Sequence, residues 1–371
     1  MKSFELKYAD TKLYFGLNVV ERLRDHLNGI ENVTIVTGKS SAKISGALKD
    51  VEYILNDLDV EYNVYDKVRA NPTVEIADEL AEFLWRNSSD CLIAIGGGSV
   101  IDVAKVSSCI ALSGGCARDY LKGRRAKSYL PLFAVNLTHG TGSEIDRFAV
   151  LTDGNEKIGI SIRYPDVSFN DPKYTLTLPK DQTVYTTIDA FFHAYEAVTS
   201  KATNPFVETL AFECARIIGE VLPREHKLEE KYNLLYASMI AGIALDISPA
   251  HIIHAIEHAL SGINPNLAHG CGLAIVGSRA IYWIHKYSEN SAKILRCLVG
   301  RDIKSEHDAE RAFRDFISSV GFEERLSDYG FGKDDFKDVE SIVFGSLKYL
   351  IKRVDFEFTR EMLYDILENS L

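Results

Sequence analysis

The chain has 371 residues, 46% hydrophobic and 26% charged, the balance of a folded globular protein of two or three domains and not of a disordered or fibrous chain. Lys and Arg total 42 against 53 Asp and Glu, and a net charge of −11 repels phosphate backbones, so no nucleic-acid partner is expected. No apolar run approaches ~20 residues, the six cysteines form no C-x-x-C pair, and MKSFELKYAD lacks the apolar stretch of a secretory signal, so the expectation is a cytoplasmic protein with reduced thiols and no membrane partner.

In chain order, Ser3–Leu6 and Lys12–Phe15 flank the turn-prone Ala9-Asp10 and predict a hairpin. Short apolar runs predict strands at Val33–Val36, Tyr62–Tyr65, Cys91–Ile95 and Leu132–Val135. Between them the spacing predicts helices over Ile44–Leu55, Val74–Trp85 and Val100–Ala111. Strands without polar alternation, separated by helices, imply a parallel sheet covered on both faces. From Pro179 the strand signals fade. Helical periodicity then runs through Thr187–Val198, Glu208–Val221, Lys231–Leu245, Pro249–Ser261, Cys271–Tyr287, Ala309–Val320 and Phe358–Glu368. The expected fold class is an α/β, Rossmann-like dinucleotide-binding domain over residues 1–179 and an all-α domain over residues 180–371, with a ligand cleft between them.

The Cys91–Ile95 run leads into Gly96-Gly97-Gly98-Ser99 and then Val100-Ile101-Asp102. Glycines let a pyrophosphate approach the backbone, and the free amides of a helix start supply donors. The plain alternative is a tight strand-to-helix turn in which Ser99 caps the helix and Asp102 favours its first turn. A second loop, Thr138-His139-Gly140-Thr141-Gly142-Ser143-Glu144, suits sugar or phosphate oxygens equally well as it suits an ordinary connection. After the Val33–Val36 strand, where an acid often holds a ribose 2′-hydroxyl, stand Gly38, Lys39, Ser40 and Ser41. An acid there would repel a 2′-phosphate by ~1 kcal/mol in water and ~4 kcal/mol at intermediate dielectric. Its absence favours NADP(H) over NAD(H), although the serines can also cap the next helix.

Asp189 and His193 stand at i, i+4, a spacing that stacks both on one helix face within reach of one metal. His251, His254, Glu257, His258 and His269 follow. A lone histidine on an apolar face is usually a satisfied core residue, but five of the ten histidines cluster in this half beside a carboxylate. One carboxylate and three imidazoles suit a divalent transition metal; zinc binds such a set more tightly than ferrous iron, and ligand type alone leaves both open.

Taken together, Gly96-Gly97-Gly98-Ser99-x-x-Asp102-x-Ala104-Lys105, Gly140-Thr141-Gly142-Ser143-Glu144, Asp189-Ala190-x-x-His193-x-x-Glu196 and His254…His258…His269-Gly270 resemble the iron-containing (group III) alcohol dehydrogenase family. The likeness runs from Tyr14 to Gly277 and includes Asn71-Pro72, Asp119-Tyr120, Asp171-Pro172 and Leu178-Pro179. The resemblance implies a dehydroquinate synthase-like architecture and metal ligands at Asp189, His193, His254 and His269. It implies His258 as a catalytic, non-ligand histidine facing substrate and nicotinamide. Coenzyme contacts implied are Gly97, Gly98, Ser99 and Asp102 at the pyrophosphate and adjoining ribose, Asn71, Thr138 and Leu178 at the adenine or nicotinamide side, and Lys157 at the nicotinamide ribose. The string Gly38-Lys39-Ser40-Ser41 is similar to that of NADP-using members.

The activity implied is hydride transfer between NADP(H) and a small alcohol or aldehyde, with one divalent metal, Fe2+ or alternatively Zn2+, in a homodimer. Rival readings are a polyol or glycerol-type dehydrogenase, a hydroxyacid–oxoacid transhydrogenase and, outside enzymes, a nucleotide-binding sensor. Arg147, Arg163 and Arg279 keep an anionic substrate in play. Three features depart from the family pattern. Asn136-Leu137-Thr138-His139 replaces the usual Pro-Thr-Thr-Ala and sets a bulky histidine near the coenzyme. The His258–His269 segment is slightly longer than in close relatives. His251, not a usual ligand, falls near the metal face and is a candidate to line the cleft.

Overall fold

The computed structural model of the chain describes residues 1–371. Strands β1 (Phe4–Tyr8) and β2 (Thr11–Phe15) form the expected hairpin. They are followed by β3 (Asn32–Gly38), α1 (Ser41–Ile44), α2 (Ala47–Asp57), β4 (Glu61–Val68), α3 (Val74–Arg86), β5 (Cys91–Gly96), α4 (Gly98–Ser113), α5 (Ala117–Leu121) and β6 (Leu132–Asn136). A second hairpin, β7 (Phe148–Asp153) and β8 (Glu156–Ser161), precedes β9 (Val167–Asn170). The main sheet has the order β1-β2-β9-β6-β5-β3-β4, and every pairing except β1–β2 is parallel. Alternate residues of β5 enter opposite apolar layers: Leu92 and Ala94 pack with α3 and α4, Ile93 and Ile95 with α2. That alternation explains why the strand reads as uniformly apolar.

The single helix expected over Ile44–Leu55 is two helices. Gly46 takes a left-handed φ of 83° and breaks the chain between them. Strands β7, β8 and β9 were outside the sequence reading. The β7–β8 turn carries Gly154 at φ 62°, a left-handed residue of the kind tight hairpin turns favour.

The rest of the chain is helical: α6 (Lys180–Thr199), α7 (Pro205–Val221), α8 (Leu228–Ile247), α9 (Ile252–Ile263), α10 (His269–His285), α11 (Glu289–Val299), α12 (Glu306–Ser319), α13 (Phe336–Phe344), α14 (Lys348–Ile351) and α15 (Arg360–Glu368). Helix α6 is buried along nearly its whole length, including Asp189, His193 and Glu196, so its amphipathic period is weak and its polar residues face partners inside the protein. No single helix is long and apolar enough to cross a membrane.

The sheet reverses direction of growth between β3 and β5, the switch point where open α/β sheets leave a crevice. Gly38 ends one of these strands and Gly96 the other.

Candidate metal and coenzyme site

Facing stripes of α6 and α9 build one end of a cavity of about 270 Å³. Helix α6 contributes Asp189 and His193, helix α9 contributes His254 and His258, and His269 opens α10. The Nε2 atoms of His193, His254 and His269 lie 3.3, 3.6 and 3.4 Å from the same atom, Asp189 Oδ1. Ligand atoms arranged tetrahedrally about an ion at ~2.1 Å are separated by about 3.4 Å, so these spacings fit a shared divalent ion. Asp189 Oδ1 and His254 Nε2 are buried with no hydrogen-bond partner, as expected of groups aimed at a cation.

Each imidazole is held from behind. His193 Nδ1 donates to Gly140 O at 3.2 Å. His254 Nδ1 is held by Glu196 and His269 Nδ1 by Glu257. A proton kept on Nδ1 leaves the Nε2 lone pair free for a metal. Burial pushes His193 down to about 4 against the pull of Asp189, which keeps the imidazole neutral. Burial opposes the Asp189 carboxylate, but His193 and His269 overcome it and hold that group well below the usual range. Glu196 and Glu257 are buried too, and they serve His254 and His269.

His258 makes no hydrogen bond through its buried Nδ1. Burial and then the nearby Lys157 ammonium hold it well below 6.5, so it is neutral, and the residue lines the cavity. Lys157 Nζ lines the cavity, is buried, and donates to Ser261 Oγ (3.0 Å) and Glu257 Oε2 (3.3 Å).

At the other end of the cavity lie Asn71, Gly98, Ser99 and Asp102. A Cβ on Gly97 would sit 2.7 Å from Thr138 Cγ2, and one on Gly98 2.6 Å from Thr141 Cγ2, so the turn is glycine because the loop after β6 closes on it. Gly98 and Ser99 open the long helix α4 and present its free amides. Asp102 accepts from Ser143 and from Val150 N (2.9 Å), which fixes the second loop and β7 to α4. Asn71 donates to Pro265 O at 3.0 Å and so ties the α/β half to the longer segment that leads into His269.

Gly97, Thr138, Gly38, Ser40, Ser41 and Leu178 do not line this cavity. Ser40 and Ser41 are exposed at the start of α1 and neither caps it through its side chain. His139 is turned away from the cleft: it is fully buried against Thr186, Thr187 and Lys231. His251 is likewise fully buried, beside Glu196 (3.0 Å) and Thr199 (2.9 Å), and does not line the cleft.

Residues 10–172 match the family described as iron-containing alcohol dehydrogenase, and residues 183–371 match the C-terminal region of the Fe-containing alcohol dehydrogenase family. The long-chain primary alcohol dehydrogenase AdhA of Thermoanaerobacter ethanolicus is 36% identical, covering 100% of this chain and 98% of that protein. The NADH-dependent butanol dehydrogenase A of Clostridium acetobutylicum is 28% identical over 90% of this chain and 91% of its own. The solved alcohol dehydrogenase from Oenococcus oeni superposes with a TM-score of 0.88 at 26% identity, over 100% of both chains. The chain belongs to the iron-containing alcohol dehydrogenase family, and its class of activity is that of an alcohol dehydrogenase.

Proposed function

We propose that the chain transfers hydride between NADP(H) and a small alcohol or aldehyde, with one divalent metal, Fe2+ or Zn2+, held by Asp189, His193, His254 and His269. The observation that carries this reading is the convergence of three Nε2 atoms on Asp189 Oδ1 in the same cavity as the Gly98-Ser99 turn. A divalent ion so held supplies a Lewis acid for the oxygen of the alcohol or carbonyl. Glu196 and Glu257 orient two of the ligand rings, and Lys157 steadies Glu257. His258, on the cavity lining and neutral, takes or returns the hydroxyl proton. Gly98, Ser99 and the backbone of Gly97 receive the pyrophosphate at the start of α4. The division of labour falls near residues 179 and 180, where α6 begins.

A relative that carries NADH in its name means that coenzyme choice does not follow from family membership. Two features favour NADP(H): Gly38 puts no carboxylate at the end of β3, and an adjoining pocket is lined by Lys39, Lys67 and Arg69 against Asp66 and Glu79. Lys67 pairs with Glu79, and no carboxylate lies within ion-pair distance of Lys39 or Arg69. A homodimer formed through the free edge of β1 belongs to the same reading.

Purified protein loaded with Fe2+ or Zn2+ should bleach the reduced-nicotinamide absorbance of NADPH with short aldehydes. Silence with every aldehyde would favour a nucleotide sensor. Gly38→Asp should lower kcat/KM for NADPH more than for NADH; a Cβ there meets Val68 O only at 3.3 Å, so the site accepts a side chain with a small adjustment. An unchanged NADPH/NADH ratio would refute the coenzyme assignment.

A further inference from the structure

The helical half closes the cavity with a wall of Leu245, Pro249, Ala250, Tyr349, Leu350 and Arg353. Five of these present carbon or a ring to the cavity, and Arg353 is the only charged group among them. The three arginines singled out in the sequence are all neutralised elsewhere: Arg147 by Asp246 (3.1 Å), Arg163 by Asp166 (2.6 Å) and Arg279 by Asp365 (2.6 Å). Arg353 has no carboxylate within 4.0 Å, and its only side-chain hydrogen bond runs from Nη1 to Ala250 O at 2.8 Å. Lys157, the other cation in the cavity lining, is consumed by Glu257 and Ser261.

A partly buried guanidinium without a counter-charge is costly, and its planar fork matches a carboxylate or similar oxyanion. Burial draws Arg353 below its ordinary range, with Tyr349 and then Glu196 pulling weakly the other way, and an anionic ligand would offset that desolvation. The residue is also rigidly mounted. Its carbonyl accepts from Lys201 N (2.8 Å) just past the end of α6, and its amide donates to Leu350 O at 3.0 Å. Its guanidinium lies 5.3 Å from the Tyr349 ring, whose hydroxyl donates to Gly159 O at 3.1 Å on β8. Arg353 is thus tied to the segment that follows the helix carrying Asp189 and His193, on the same cavity.

We propose that the substrate is a short aldehyde or alcohol that carries a compact oxyanion, a carboxylate in the simplest case, at the end remote from the reacting carbon, and that Arg353 receives that anion. This inference rests on the dehydrogenase reading above. It makes Arg353 a specificity-determining residue and sets a semialdehyde or hydroxy acid above a neutral alcohol of equal length.

The test uses the metal-loaded protein with NADPH and two matched pairs of probes: butanal with 4-oxobutanoate, and pentanal with 5-oxopentanoate. The expected result is a kcat/KM for the anionic member at least ten-fold above its neutral partner in one pair. In Arg353→Met the anionic-to-neutral ratio should fall at least ten-fold, and Arg353→Lys should recover part of it. Because the wild-type ratio is read on its own, a variant that does not fold leaves the test intact. Neutral aldehydes reduced as well as or better than their anionic partners in the wild type would overturn the inference while leaving the dehydrogenase reading in place. So would an Arg353→Met variant in which the ratio is unchanged and only the KM for NADPH rises, since the arginine would then serve the coenzyme. No turnover of any of the four aldehydes would instead remove the dehydrogenase reading on which the inference stands.

Discussion

At Glu196 one carboxylate, with His251 3.0 Å from Oε1, serves both the start of α9 and a ligand ring. Oε1 accepts from the Ile253 amide at 2.6 Å, and Oε2 holds His254 Nδ1. The glutamate is fully buried, so neither bond has water as a substitute. Glu196→Gln keeps the shape but leaves a single acceptor oxygen for two donors. One of the two bonds must then be lost, and a His254 ring without its acceptor is free to change tautomer and present N–H to the metal. The expected outcome is a ten- to hundred-fold loss of metal affinity, of the order seen when such orienting partners are removed, measured by competition with a chromogenic chelator. Wild-type affinity in this variant would show that Glu196 supports the fold and not the ligand. The sequence placed Glu196 in a motif with Asp189 and His193, because all three share the face of one helix. It could not pair Glu196 with His254, because that contact spans 58 positions and is fixed only when α6 and α9 pack.

Elements meet closely only where side chains are absent. Gly142 sits in the loop after β6 with φ 67°, and a Cβ added to Gly242 in the middle of α8 would lie 2.8 Å from Gly142 Cα and 2.9 Å from Ile145 Cγ2. The clash is with backbone, which cannot swing aside as a flexible side chain would. Gly242→Ala raises local helix propensity by ~1 kcal/mol, yet overpacking of this kind costs ~1–3 kcal/mol, so the net effect should be a lower Tm in a thermal melt. A higher Tm would mean that the loop and α8 are free to separate. Elements that the sequence revealed share a simple local cause. The parallel strands are short, apolar and end at glycine or a polar turn, and helices such as α9 and α12 repeat apolar residues at 3.6-residue spacing. Among those it hid are the β7–β8 hairpin, β9, α11, α13 and α14. The β7–β8 hairpin is only half-buried, with intermediate residues on both faces, so neither a continuous apolar run nor a strict alternation marks it. Helix α14 is a single turn, too short for periodicity to declare itself.

Across the whole molecule the two halves are pinned by a buried cation that no acid accompanies. Lys231 on α8 is 2% exposed; its Nζ donates to Thr183 Oγ1 at 2.7 Å and to His139 Nε2 at 3.2 Å. Thr186 and Thr187 donate their hydroxyls to Gln182 O and Thr183 O, so both can only accept from His139 Nδ1, at 3.2 Å each. That leaves Nε2 as the acceptor for Lys231 and His139 neutral, consistent with burial holding its pKa well below 6.5. The residue expected beside the coenzyme thus joins the loop after β6 to α6 and α8, one position before the carbonyl that orients His193. Burial draws Lys231 from its ordinary 10.5 to about 8. Between those values the unfolded chain keeps a proton that the folded chain has released, so the unfolded state binds more protons and folding stability rises with pH across that window. Below about 8 both states are protonated and the full desolvation cost of the charge is present. Urea unfolding of wild type and Lys231→Met from pH 7 to pH 10 isolates the effect, because other groups titrate alike in both proteins and cancel. The difference in stability should be flat below about pH 8 and then shift in favour of the wild type as pH rises, whatever constant penalty Met imposes by leaving His139 Nε2 without a donor. A pH-independent difference over the whole range would mean that the ammonium keeps its charge in the interior, held by the hydroxyl and imidazole alone.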